Sequence, residues 1–176
     1  CRVLPSLGIT YPYPPPDKLI PCEWLSGAST YKRSILQEIK PDENLKKYSW
    51  NEDQDLSYRI FKKYPGSLFL TPHAKYWHER SKERKLPKRE LIYMVEVYDL
   101  YLFYKNINQN LKNKVIYWWS RIGRMIVGVA ISLFKQRSIT VIKKELKCRI
   151  GALIYCIKYI REIRKGDLRF FNETLK

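Results

Sequence analysis

Nowhere in the sequence do 18 apolar residues run together, so no segment reads as a straight bilayer-spanning helix. The opening residues do not read as a signal peptide. Cysteine is sparse. Cys1, Cys22, Cys148 and Cys156 share no metal-binding or redox spacing, which speaks against a zinc module or a disulfide framework and fits reduced thiols in the cytoplasm. Acid is scarce as well, with 17 Asp and Glu against 34 Lys and Arg and a net charge of +17. No internal repeat and no nucleic-acid recognition motif stands out. The first residue is Cys rather than Met, as expected of a partial chain or one cut from a precursor.

What is present suffices for a folded protein. The 176 residues are 45% hydrophobic and 14% aromatic, enough to bury a core and too apolar for a disordered tail. The charge is uneven. Residues 1–78 carry 11 basic and 8 acidic groups, or +3, and residues 79–176 carry 23 and 9, or +14. The second half therefore favours a negative partner.

Local signals divide the chain. "YPYPPPDKLIP" at 11–21 reads as extended surface backbone, because proline fixes φ and removes donors. "CEWLSGAST", 22–30, reads as a short buried strand entering a Gly turn, with Ser29 or Thr30 capping a helix from Tyr31 that stops at Pro41. Asn51 suits an N-cap for a helix over 52–63 with Leu56 and Ile60 on its apolar stripe. "SLFLTP" and "AKYWHE" read as strands, and "RSKERKLPKRE" at 80–90 as a charged loop. Helix is expected over 88–106 and again across 111–165. There Ile139, Ile142, Leu146, Ile150, Leu153, Ile157 and Ile160 recur at spacings of three and four and are expected to share one stripe. Residues 110–165 hold 14 basic and 2 acidic groups, or +12. Apolar faces bordered by Lys and Arg, with Trp118 and Trp119, suit helices lying on an anionic membrane surface.

Against this basic background, "NEDQDLSYR" places Glu52, Asp53 and Asp55 within four consecutive residues. A helix start tolerates such crowding, because its dipole presents positive charge there. Arg59, four residues after Asp55, is placed to pair with it.

In order, the features "WLSGASTYKRSIL", "PDENL" and "NEDQDLSYRIFKKYPGSLFLTPHAKYWHE" resemble the acceptor half of family 2 glycosyltransferases of the GT-A fold. The resemblance covers about residues 20–80, and 90–165 in general character. It implies an α/β, partial GT-A fold followed by C-terminal amphipathic helices. It implies an inverting transfer of sugar from a nucleotide-sugar donor to a glycan or lipid-linked acceptor hydroxyl, in glycan biosynthesis. Asp53 would be the general base and Glu52 would contact the acceptor or support the base. Trp24, Ser26 and Gly27 would line the acceptor site. His78 would join the ligands of a divalent Mg2+ or Mn2+. The family's nucleotide-binding half, with its metal-holding Asp-x-Asp element, does not precede "CEWLSGAS", so the chain is expected to be a fragment whose donor binds elsewhere.

The expected organisation is then an acceptor-side half over 1–80, a charged loop and connecting helix over 81–110, and basic amphipathic helices over 111–176. The expected setting is cytoplasmic, peripheral at the inner face of the cell membrane. A non-catalytic membrane-associated scaffold and a basic nucleic-acid-binding protein are the competing readings. The second is disfavoured because the basic residues border aliphatic stripes.

Overall fold

The computed structural model describes residues 1–77 and 86–173, which fall in two compact units, Cys1–Lys85 and Leu86–Lys176. His78 and most of the charged loop expected over 80–90 lie outside the described residues. The described residues are mostly helical, with one two-stranded sheet.

The first unit holds β1 (Ile20–Pro21), α1 (Arg33–Glu38), α2 (Glu52–Lys63) and β2 (Phe69–Leu70). β1 and β2 pair antiparallel, Ile20 opposite Leu70 and Pro21 opposite Phe69, and the Cys22 N–H continues the ladder to the Leu68 carbonyl at 2.9 Å. Helix α2 ends at Tyr64, before the Pro65-Gly66 turn, where Gly66 takes a left-handed φ of 77°. Ile39, Ile60 and Leu68 form the core of this unit, packed by Leu56 and Phe61.

Three local expectations change here. The strand expected over 22–30 does not form; the ladder is Ile20–Pro21 against Phe69–Leu70, and past the Cys22 bond the Glu23 N–H turns to the Cys1 carbonyl at 2.9 Å. Cys22 and Trp24 are buried as a strand would bury them, yet the Leu25 N–H turns to a side chain. Likewise "SLFLTP" supplies only β2, and 74–77 form no strand and stand exposed. Helix α1 starts at Arg33 with Lys32 before it, so neither Ser29 nor Thr30 caps it. Asn51 does precede α2, but in a left-handed conformation with φ 63°, which Asn tolerates, and its side chain makes no cap hydrogen bond.

The second unit holds α3 (Lys88–Asn106), α4 (Leu111–Phe134), α5 (Ile139–Lys158), α6 (Ile160–Lys165) and α7 (Arg169–Asn172). Thus α3, expected as part of a connector over 81–110, is the central helix of this unit. Its residues from Glu96 to Phe103 are all buried, so it has no solvent stripe. The Asn110 side chain caps α4 by accepting from the Asn113 N–H at 2.8 Å. Gly166, at φ 78°, closes α6 where a left-handed residue is required. The Tyr98 hydroxyl donates to Asn172 Oδ1 at 2.8 Å, which fastens α7 to α3.

Two acids sit inside this helical core, Glu96 and Asp99 of α3, and both are paired. Arg121, 2% exposed, donates from Nη1 to Asp99 Oδ2 at 2.7 Å and to Glu96 Oε2 at 3.2 Å. Its Nη2 donates to the Tyr117 hydroxyl at 2.6 Å. Arg124 reaches the same two carboxylates from the rim, at 3.3 and 3.5 Å. Burial pushes the Glu96 carboxyl above its ordinary pKa despite the Arg121 charge. Burial also pushes the Cys156 thiol up to about 12, with the field of Glu96 adding to it.

The single stripe expected on α5 splits. Ile142 is buried at 9%, while Ile139, Ile150 and Ile157 are exposed. Ala152 and Cys156 take the buried face instead, because small side chains allow close helix approach there.

Candidate functional site

Helix α2 presents its three acids in its first turn, and the fold gives each a different setting. Asp55 is buried and held by Arg59, Nε to Oδ2 at 2.9 Å, the pairing that its spacing predicts. Arg59 also donates from Nη2 to the Lys40 carbonyl at 2.7 Å, so this pair locks the start of α2 to the chain after α1. Asp53 is half-buried and Glu52 is exposed.

Asp53 Oδ1 accepts from the Gln54 N–H at 2.8 Å. Its Oδ2 accepts no hydrogen bond among the described residues and faces Gly27. A Cβ built on Gly27 would stand 4.0 Å from that oxygen. Gly27 is therefore next to the carboxylate, and a larger side chain there would grow toward it.

Ser57 makes this juxtaposition. It lies one turn after Asp53, is 0% exposed, and accepts from the Leu25 N–H at 3.0 Å while donating to the Asp53 carbonyl at 2.6 Å. The loop Trp24–Gly27 is thus hung on the same turn of helix that carries Asp53. Gln54, also buried, donates from Nε2 to the Leu7 carbonyl at 3.4 Å and ties the N-terminal loop to α2. The sequence reading missed Ser57. A serine four residues after an acid on one helix face is the signal that could have found it.

Ser26 is half-buried and Gly27 exposed at the turn itself. Trp24 is 5% exposed; its Nε1 donates to the Thr10 carbonyl at 3.3 Å and its ring meets Tyr11 edge-on at 5.0 Å. Tyr11 in turn lines an open groove of about 550 Å³ with Pro15, Asp17, Thr71, Pro72 and Lys75. Trp24 therefore backs Tyr11, and the aromatic surface that this groove presents is that of Tyr11. On the neighbouring turn of α2, burial raises the Tyr58 hydroxyl above its ordinary pKa, and the charge of Glu23 adds to this. His73 is an exposed turn residue.

The described residues do not fit a metal site. No group of three or more His, Cys, Asp or Glu is gathered among them, and Asp55 is committed to Arg59. His78, expected as a ligand, lies outside the described residues. No helix among the described residues is long and apolar enough to cross a membrane. In comparison with known proteins, no family model, no curated protein and no solved structure matches the chain.

Proposed function

We propose that residues 1–80 are the acceptor side of an inverting, family 2-like glycosyltransferase of the GT-A type, with Asp53 as general base. The observation that carries this reading is the Asp53 carboxylate, with Oδ2 open among the described residues beside Gly27, on a helix start fixed by Arg59 and Ser57. A glycine at that distance leaves room for an acceptor oxygen to come within hydrogen-bond reach of the base.

In the step assigned to it, Asp53 Oδ2 takes the proton of an acceptor hydroxyl. The oxygen attacks the anomeric carbon of the donor sugar from the face opposite the leaving group. The new carbon–oxygen bond forms as the bond to the nucleoside diphosphate breaks, and the diphosphate departs with the electron pair. Glu52, exposed at the same helix start, is assigned to hold an acceptor hydroxyl, and Ser26 belongs to the turn that carries Gly27. The groove beside Tyr11 and Asp17 offers an aromatic wall and a carboxylate, a combination that suits a saccharide chain. Donor binding, and the divalent metal that family 2 chemistry implies, are assigned to a nucleotide-binding unit outside these residues. In this reading the protein works in the cytoplasm, at the inner face of the cell membrane, where lipid-linked acceptors are held.

The test is Asp53→Asn in the native gene product, in the native cell. Removal of a general base is expected to lower incorporation of labelled sugar from nucleotide-sugar donors into the membrane fraction by about 10²- to 10⁴-fold. Circular dichroism and expression level should be unchanged, since Asn keeps the volume and the acceptor for the Gln54 N–H. Full incorporation by a folded Asp53→Asn protein would sink the assignment and leave a non-catalytic scaffold in its place.

A further inference from the structure

Helix α4 carries an apolar ridge that stands exposed among the described residues. Leu111, Val115, Trp119, Ile122 and Ile126 follow at spacings of three and four and are 78%, 59%, 70%, 45% and 61% exposed. Leu133, 57% exposed, continues the line, which is about 33 Å long at 1.5 Å per residue. Helix α5 carries a second ridge, with Ile139, Ile150, Ile154 and Ile157 exposed at 66%, 43%, 61% and 57%.

Both ridges face the same way. On α4 the residues that touch α3 are Tyr117, stacked on Phe103 at 4.1 Å, and Arg121, bonded to Asp99. At about 100° per residue, the α4 ridge lies on the far side from these two. On α5 the contact with α3 runs through Tyr155, whose ring meets Tyr93 at 5.5 Å, and Cys156, which sits in the field of Glu96. The α5 ridge again lies on the far side. Since α4 and α5 also pack on each other, α3 covers one side of the part of their hairpin that it reaches and the two ridges line the other, while Val127, Ile131 and Val141 stand exposed toward the hairpin's turn.

The charges around this face identify what it meets. Lys112, Lys143, Lys147 and Lys158 are exposed beside the ridges. Residues 110–165 carry 14 basic groups against Glu145 and Glu162, or +12. A second copy of the same face would bring Lys112, Lys143, Lys147 and Lys158 against their own like charges, so self-association is opposed by charge. A nucleic acid would satisfy the lysines and leave the aliphatic ridges in water. A bilayer with anionic headgroups satisfies both, because acyl chains take the apolar ridge and headgroups take the lysines. No described helix is apolar enough to cross, which leaves the hairpin lying flat.

We infer that the α4–α5 hairpin is a membrane-docking surface, its ridges sunk in the interface of an anionic bilayer and its lysines on the headgroups. This deepens the peripheral placement proposed above by naming the surface, and it is independent of the chemistry assigned to Asp53.

The test is sedimentation of the full chain with vesicles of phosphatidylglycerol and phosphatidylcholine, against phosphatidylcholine alone, at low and high salt. The exposed-ridge variant Val115→Asp/Ile126→Asp is the comparison. Strong binding to the anionic vesicles is expected, weakened by salt and at least about tenfold weaker in the double variant, because both desolvation and headgroup charge then oppose docking. Tryptophan emission should shift to the blue on binding, and Trp119→Phe should lose most of that shift. Equal binding to both vesicle types, indifference to the double substitution, or a lipid-free dimer that the substitutions dissolve would each overturn the inference. If the double variant loses its helical signal, the Trp119→Phe spectrum decides alone. Asp53→Asn should bind vesicles as the native chain does, so failure of docking and failure of the transferase reading are separately visible.

Discussion

Ser57→Ala tests whether the loop at 24–27 is held over Asp53 by one hydroxyl. Ser57 is fully buried and accepts the Leu25 N–H at 3.0 Å. Truncation deletes that acceptor and leaves the amide unpaired, at a cost of about 1–3 kcal/mol. The hydroxyl's second bond, to the Asp53 carbonyl at 2.6 Å, is a smaller loss, since backbone helix bonding remains for that oxygen. A net destabilisation of about 2 kcal/mol lowers the melting temperature of a unit of this size by about 8–16 °C. Amide hydrogen exchange reads the cause directly. Protection at Leu25 should fall by more than about tenfold, the equivalent of 1.4 kcal/mol, while that at Tyr64, whose N–H bonds Ile60 within the helix cap, changes no more than the whole unit does. Sugar transfer should fall further than stability predicts, because displacement of Gly27 by about 1 Å spoils the geometry around the base. A Ser57→Ala protein with an unchanged melting temperature and unchanged Leu25 exchange would refute the reasoning.

Two further outcomes follow from the buried charges of the second unit. Arg121→Met removes the buried counter-charge from Glu96 and Asp99, with Arg124 half-exposed beside them, and is expected to destabilise by about 3–5 kcal/mol in urea unfolding at pH 7. The triple change Arg121→Met/Glu96→Leu/Asp99→Leu should recover most of that loss, and its failure to do so would show that the network contributes specific bonding rather than charge balance. Glu96, whose pKa burial raises in the folded state, keeps a proton that the unfolded chain gives up above about pH 4.5. Stability should therefore fall as pH rises from that value through the folded-state pKa, and Glu96→Gln should flatten this part of a thermal-melt series.

The helices were legible because their causes are local. The Asn51 position, the acids that follow it and the Pro-Gly turn mark both ends of α2, and the boundaries expected for it and for α3 match those observed. The pairing of Asp55 with Arg59 was likewise visible at a spacing of four. The strands were not, because a strand exists only where a partner lies beside it. Cys22–Thr30 has the composition of a buried strand, yet among the described residues the ladder runs from Ile20–Pro21 against Phe69–Leu70 and ends with the Cys22 bond to Leu68.

The candidate site divides the same way. The sequence by itself placed Glu52, Asp53 and Asp55 at a helix start, since dipole and periodicity act within a few residues. Only the tertiary structure brought Gly27 against Asp53, through a serine bonded to an amide 32 positions away. It also decided which apolar residues are core. The regular spacing of Ile139, Ile142 and Ile150 reveals a helical face, but whether another helix or the outside covers that face depends on packing that no local pattern encodes. Ile142 went inside, Leu146 is half-buried, and Ile139 and Ile150 stayed out. Arg121 is the clearest case. By composition it is one of many basic residues in a segment of +12, and the fold alone makes it a buried counter-charge, because α3 brings two carboxylates to it from more than 20 residues earlier in the chain.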